Sequence, residues 1–327
     1  GEISAGAGVG TNGGSFAFNI KENNWMGKGM TIASFLDLDK DSIKGQLSLR
    51  DPNYNMSGNE LNYNISSIQT DKTEESGYKN TITSLGIGTR FEQYQDIFIA
   101  PSLNYSHDSL TVDDTASTNL QKQEGSFSDL ALSYSIQQDK RDKAYMPTDG
   151  FYSSFSQTIP VYADAPYLRN SYRFSKYNSF GKDLVGAFKI YGSAINGLND
   201  EDVRLSKRNF LSSNNLRGFK NGKVGPKDGQ DFVGGNYAAS MNFEAQLPKF
   251  LPESTKTDIG LFIDFANLWG IDYDSTLDDS NKIRSSAGAA VSWLSPVGPM
   301  SFVLSQNITK ASTDETESFN FRLGTTF

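Results

Sequence analysis

Apolar and polar residues alternate along most of this chain. In 237–247, Tyr237, Ala239, Met241, Phe243, Ala245 and Leu247 share one parity, while Ala238, Ser240, Asn242, Glu244 and Gln246 share the other. The pattern recurs in 96–107, 129–137, 259–266 and 299–308. It returns at the C-terminal end, where Phe319, Phe321, Leu323 and Phe327 oppose Ser318, Asn320, Arg322, Gly324 and Thr326. A period of two marks strands with unlike faces, and helical spacing never holds for long. Turn residues punctuate the runs at Asp39–Asp41, Asp51-Pro52-Asn53, Pro147-Thr148-Asp149-Gly150, Pro248, Pro252 and Pro296–Pro299. About sixteen strand segments result, on a count of alternating runs. The longest polar connections fall near 108–123, 199–234 and 267–282. Long loops alternating with tight turns predict an up-and-down barrel.

The polar parity decides what surrounds the barrel. A soluble barrel fills its interior with apolar side chains. Here Asn, Ser, Gln, Glu, Asp and Arg recur on the would-be inner face, so the apolar rows must meet lipid. The fold class expected is all-β, a 16-stranded antiparallel transmembrane β-barrel over residues 1–327, read as a single domain. No run of about 18 apolar residues offers a membrane-spanning helix. With 22 Phe and 15 Tyr in a chain of low mean hydropathy, the apolar residues are spread thinly over many strands. Residue 1 opens directly in a strand-like segment, so a signal peptide is expected to be absent or removed. The net charge of −8 argues against a nucleic-acid partner. With no cysteine, disulfides and thiolate metal sites are excluded.

Several stretches carry a more specific signal. Within the connection 199–234, residues 214–226 contain Leu216, Arg217, Gly218 and Phe219, which resemble a V/I-R-G-F/Y pattern. The segment "DKRDKAYMPTDGFY" at 139–152 has a D-x-R…P-T-x-G pattern, and "FIDFANLW" at 262–269 resembles D-x-G-x-x-W with Ala266 in place of Gly. Together with "GGNYAASMNFEAQLP", "FNFRLGTTF" and the opening "GVGTNGG" and "NNWMGKG", this ordered set resembles the barrel of the BamA-type outer-membrane protein assembly factors. The resemblance spans the whole chain. The family's periplasmic POTRA domains are expected to be absent from it.

Two constellations follow. Parity places Glu244 and Asp264 on the inner side of adjacent strands, where two carboxylates repel and a cation helps. Arg217 lies on the connection leading into the first of these strands, and a guanidinium forks onto carboxylates. From the residues alone, a solvated loop arginine is an equal reading. The resemblance implies an extracellular loop folded into the lumen, a lock of Leu216, Arg217, Gly218 and Phe219, and a pairing of Arg217 with Asp264, with Glu244 a second candidate. The other constellation is the seam closing the barrel. The first strand carries Gly6, Gly8 and Gly10, and the last carries Gly324 and ends at Phe327. Glycine weakens a strand. The residues alone suit a sharply bent corner equally well, whereas the resemblance implies a lateral gate between first and last strands.

The implied function is insertion of other barrel proteins into the bacterial outer membrane, with no enzymatic chemistry and no cofactor. The implied partners are unfolded outer-membrane protein clients, accessory assembly lipoproteins, and outer-membrane lipid and lipopolysaccharide. A TamA-like or two-partner-secretion translocation pore is the alternative on the same fold; a passive porin is the alternative from another class. "GAGVG" lacks G-x-G-x-x-G spacing, "DLDKDS" lacks the glycine and glutamate of a calcium loop, and there is no G-x-S-x-G elbow. His107, the sole histidine, reads as a solvated side chain at a strand end.

Overall fold

The computed structural model describes residues 1–144, 146–181, 184–247, 257–295 and 298–326. Phe327 and the turns expected at Pro248, Pro252 and Pro296 lie outside the described residues. Sixteen strands form one closed antiparallel ring. In chain order the first eight are β1 (Glu2–Gly10), β2 (Gly13–Trp25), β3 (Met30–Asp39), β4 (Ser42–Asp51), β5 (Glu60–Lys72), β6 (Tyr78–Tyr94), β7 (Ile97–Val112) and β8 (Gly125–Asp139). Then follow β9 (Gly150–Ala163), β10 (Tyr167–Phe180) and β11 (Leu184–Gly197). The short pair β12 (Lys227–Asp228) and β13 (Asp231–Phe232) sits inside the connection 198–236 and stands apart from the ring. The ring resumes with β14 (Tyr237–Gln246), β15 (Thr257–Trp269), β16 (Arg284–Ser295), β17 (Gly298–Thr309) and β18 (Phe319–Thr326), which pairs with β1.

The alternation read from the sequence sets the two faces of this wall. On β14, Ala238, Ser240 and Asn242 are buried inward, while Met241 and Phe243 are exposed outward. On β15, Phe262, Asp264, Ala266 and Leu268 are buried, while Leu261, Ile263 and Phe265 are exposed. Register keeps the rows aligned: Phe188, Phe243, Ile263 and Ala287 are successive cross-strand partners from β11 to β16. Closure preserves the parity, since Val9 of β1 faces Leu323, which faces Met300. A ring is the form that pairs strand edges within hydrocarbon, where an unsatisfied backbone N–H or C=O costs several kcal/mol.

Long connections gather at one end, at 113–124, 198–236, 270–283 and 310–318. The opposite, turn end carries 26–29, 52–59, 95–96 and 140–149. Strand β7 runs further than the sequence reading allowed. Residues 108–112 look loop-like in composition, yet Asp108, Leu110 and Val112 are inward and buried, and Asp108 accepts a hydrogen bond from Asn80 Nδ2 at 3.0 Å. His107 is correspondingly placed inside β7 rather than at its end, exposed, with Nδ1 3.1 Å from Ser128 Oγ.

The connection 140–149, which holds the P-T-x-G motif, is built around Asp142. Its carboxylate accepts from Thr148 Oγ1 at 2.6 Å and from the backbone N–H groups of Thr148 at 2.9 Å and Asp149 at 3.2 Å. The Thr148 hydroxyl, then its N–H, hold the carboxyl down from 3.8 to about 2. Because the folded value lies below the unfolded one, the clasp is fully present above pH about 4 and is lost as pH falls toward 2. Titration of Asp142 by carboxyl-carbon NMR is expected to give a midpoint near 2, moving up toward 3.8 in Thr148→Val; an unchanged midpoint in that variant contradicts the assignment.

The outward row makes a separate prediction. Ile263 sits mid-strand and is 44% exposed. Ile263→Arg places a charge against hydrocarbon and is expected to lower stability by about 2–4 kcal/mol. Denaturant titration in lipid bilayers checks this, and an unaltered midpoint contradicts a lipid-facing row.

Candidate functional site

The connection 198–236 is held on two sides by inward-facing residues of the wall. Leu205, near its start, and Val233, near its end, are fully buried against Tyr78, Leu110 and Val112 of β6 and β7, and Leu120 of the connection 113–124. Burial of one such side chain contributes about 1.5–3 kcal/mol. Beside them, Ser206 Oγ donates to Asp108 at 2.6 Å, Lys207 lies 3.5 Å from Asp129, and Arg204 pairs with Asp129. Arg208 pairs with Asp272 of the connection 270–283. Further along, Leu211, Leu216, Phe219 and Val224 pack with Ala238, Ala266 and Leu268 of β14 and β15. The loop therefore bridges the β6–β8 wall and the β14–β15 wall.

Arg217 stands at the second of these anchorages. Its Nε donates to Asp264 Oδ2 at 2.7 Å and its Nη2 to Asp264 Oδ1 at 2.6 Å. The Arg217 backbone N–H also reaches Oδ2, at 3.0 Å. Nη1 lies 2.9 Å from Glu244 Oε1, so one guanidinium serves both carboxylates. The Phe262 ring completes the seat, 3.7 Å below the guanidinium carbon, in cation–π geometry. Asp264 is completely buried, so its charge is uncompensated without this partner.

The neighbours of Arg217 have separate physical reasons. Gly218 has φ +85°, and a Cβ there would stand 3.1 Å from Ser305 Oγ and 3.3 Å from Ser286 Cβ. A left-handed backbone in so narrow a gap admits glycine. Ser286 Oγ donates to the Arg217 carbonyl at 2.5 Å, and Asn307 Nδ2 to the Gly218 carbonyl at 2.8 Å. Leu216 and Phe219 are both 2% exposed and share a cluster with Ala266, so alanine at that position still accepts the close approach of the loop. Lys189 and Asn242 join the site although the sequence reading omitted them. Lys189 Nζ donates to Glu244 Oε2 at 2.7 Å, and Asn242 Nδ2 to Asp264 Oδ1 at 2.9 Å. Their inward parity on β11 and β14 was the available signal.

The seam residues lie elsewhere on the ring. Strand β1 pairs with β18 from Gly6↔Thr326 through Gly8↔Gly324 to Gly10↔Arg322. Residues Glu2–Ser4 pair with β2 but, among the described residues, not with β18. On its other side β18 pairs with β17 over Phe319–Leu323, so the two pairings of β18 overlap at Arg322 and Leu323. By contrast, β6 and β7 pair from Tyr78↔Val112 to Tyr94↔Ile97. A Cβ on Gly10 would sit 2.5 Å from the Phe321 carbonyl, so this glycine lets the two backbones close. Thr11, which lies in the opening motif but was given no role from sequence, ties off the loop end. Its N–H donates to the Phe321 carbonyl at 3.0 Å, and its Oγ1 accepts from the Phe321 N–H at 2.9 Å.

Among the described residues, no cluster of His, Cys, Asp and Glu side chains is placed to hold a metal ion. Residues 24–327 match the Omp85 superfamily domain. The chain belongs to the Omp85 superfamily. The outer membrane protein assembly factor BamA of Neorickettsia risticii is 28% identical over 60% of this chain and 27% of its own length. That of Neisseria meningitidis serogroup B is 25% identical over 94% of this chain and 44% of its own length. The chain thus spans less than half the length of these relatives. The crystal structure of BamA from Haemophilus ducreyi lacking POTRA domains 1-3 shares the fold, with a TM-score of 0.92 and 24% identity, over 100% of this chain and 70% of that one. This Omp85 barrel is an integral β-barrel of the bacterial outer membrane.

Removing the Arg217 side chain leaves Asp264 buried with Asn242 as its side-chain partner. Arg217→Ala is expected to destabilise the folded barrel by about 3–5 kcal/mol. Arg217→Lys recovers part of that loss, since one ammonium cannot fork onto both Asp264 oxygens. Denaturant unfolding in detergent micelles checks the order; equal stability of all three proteins contradicts a loop held by this pair.

Proposed function

We propose that residues 1–327 act as one barrel unit that folds and inserts other outer-membrane β-barrel proteins through the seam between β1 and β18. The observation that carries this reading is the short hold on β18. Among the described residues, five pairs join it to β1, and the stretch Gly324–Thr326 pairs with β1 but not with β17. Pro299, which would fall opposite Gly324, has no N–H to offer a ladder. A ladder hydrogen bond contributes about 0.5–1.5 kcal/mol net in water. Parting this seam therefore breaks few bonds, but it bares backbone groups that hydrocarbon does not satisfy.

A client strand supplies the missing partner. Edge-on addition to β1 satisfies the exposed N–H and C=O groups and holds the client at the lipid boundary. The step is an exchange of hydrogen bonds and needs no nucleophile, acid or cofactor. Its substrates are unfolded outer-membrane barrel proteins, and its surroundings are outer-membrane lipid and lipopolysaccharide. Accessory assembly lipoproteins are the partners that the relatives' designation as assembly factors suggests. The lock of Leu216, Arg217, Gly218 and Phe219 holds the loop across the lumen while the seam moves. That bridging loop favours this reading over a passive porin, whose lumen has to conduct.

The chain has no cysteine, so a designed pair is unambiguous. Val9 and Leu323 are cross-strand partners on the seam. Val9→Cys with Leu323→Cys, oxidised in lipid vesicles, is expected to reduce the folding rate of an added unfolded barrel client to the protein-free rate, and reduction to restore it. Full activity of the cross-linked protein rules out seam opening.

A further inference from the structure

The loop lock and the seam are joined by a built path. Just past Arg217, the loop forms a short antiparallel contact with residues 314–317, the segment that runs directly into β18. Phe219 bridges to Thr316. The Glu317 N–H donates to the Gly218 carbonyl at 3.1 Å, the Lys220 N–H to the Glu315 carbonyl at 3.0 Å, and the Glu315 N–H to the Lys223 carbonyl at 3.0 Å. Lys220 and Lys223 both face the Glu315 carboxylate, at 3.0 and 3.5 Å. Glu317 then leads on: its carboxylate accepts from Asn320 Nδ2 at 3.0 Å, on β18 itself. The next residue, Phe321, carries the Thr11 bonds that tie off the seam.

This path has its own buried anchor. Arg284, at the start of β16, is fully buried and sends Nε to Asp314 Oδ2 at 2.9 Å and Nη2 to Asp314 Oδ1 at 3.1 Å. Its Nη1 donates to the carbonyls of Ser280 and Lys282, each at 2.9 Å, so one guanidinium fastens the connection 270–283 as well. Asp314 in turn accepts from the backbone N–H of Gly225 on the long loop, at 3.2 Å, and from Ala311 N–H at 2.7 Å. A buried pair with every contact directed is poorly placed to slide, since losing one partner strands the other charge.

We propose that Arg284 and Asp314 are positioning residues for the seam: they clamp the segment 314–317, so that the loop seated by Arg217 sets the loop-end position of β18 against β1. This rests on the reading of β1–β18 as the moving seam. Release of the loop at Asp264, or of the clamp at Asp314, then loosens the same short ladder. The Arg217 seat touches β14 and β15, and the clamp touches β16 and both flanking loops, so the coupling runs through bonded segments rather than across open lumen.

Amide hydrogen exchange of the whole barrel in lipid nanodiscs tests this. Asp314→Asn and Arg217→Ala are each expected to speed exchange of residues 6–10 and 322–326 at least tenfold more than they speed exchange of residues 78–94. Arg284→Lys keeps a charge beside Asp314 but loses the fork, so it shows a smaller acceleration confined to the same residues. It also provides the reading should Asp314→Asn not fold. Wild-type seam exchange in the variants overturns the coupling, as does equal acceleration in all strands, which marks general destabilisation. Client folding is measured on the same samples. Accelerated seam exchange without any client folding supports the coupling and overturns the insertase reading instead.

Discussion

Backbone hydrogen bonding in hydrocarbon is the constraint from which the rest follows. Each strand edge inside the membrane has to find a partner, so a sheet can exist there when its first and last strands meet. That requirement forces β1 and β18 together although their sequences make a poor pair. One brings glycines at positions 6, 8 and 10, and the other is paired with β17, among the described residues, over Phe319–Leu323 alone. The weakest joint of the wall is thus the one that closure cannot omit. On the proposed function, the joint that opens is the one where the fewest bonds are at stake.

Inside the wall the problem is reversed. The inner face carries Asp108, Asp129, Glu244 and Asp264, and burying carboxylates is unfavourable unless each is paired. The long connection supplies cations: Arg204 and Lys207 toward one wall and Arg217 toward the other, while Arg208 pairs with Asp272 of the connection 270–283. Wall and loop are therefore complementary halves of one set of ion pairs. The loop end is ordered by this exchange, and its order reaches β18 through residues 314–317.

The two-faced strands were legible from residues 237–247 and 259–266 because parity separates lipid-facing from inward side chains without ambiguity. The meeting of Arg217 with Asp264 was legible from parity combined with a motif resemblance; parity alone left a solvated arginine equally open. The end of β7 was not legible, because there the apolar Leu110 and Val112 turn inward beneath the loop while the polar Ser109 and Thr111 turn outward, the reverse of the lipid-facing parity. The Arg284–Asp314 clamp and the Thr11 tie were not legible either. Each depends on where loops of distant sequence fall once the ring has closed, which no local pattern encodes. Ala266 shows the opposite case: a departure from the motif at the family's glycine that the packing around Leu216 and Phe219 absorbs.

The central claim is that the edge of β1 receives the client, and covalent capture tests it most directly. A photo-crosslinking residue at Ile3, exposed on β1 and unpaired with β18 among the described residues, is compared with the same residue at Leu85, equally lipid-facing on β6. With an unfolded barrel client arriving at vesicles that contain the protein, Ile3 is expected to capture the client's terminal strand and Leu85 to capture none. Equal capture at both positions, or none at Ile3, contradicts the account.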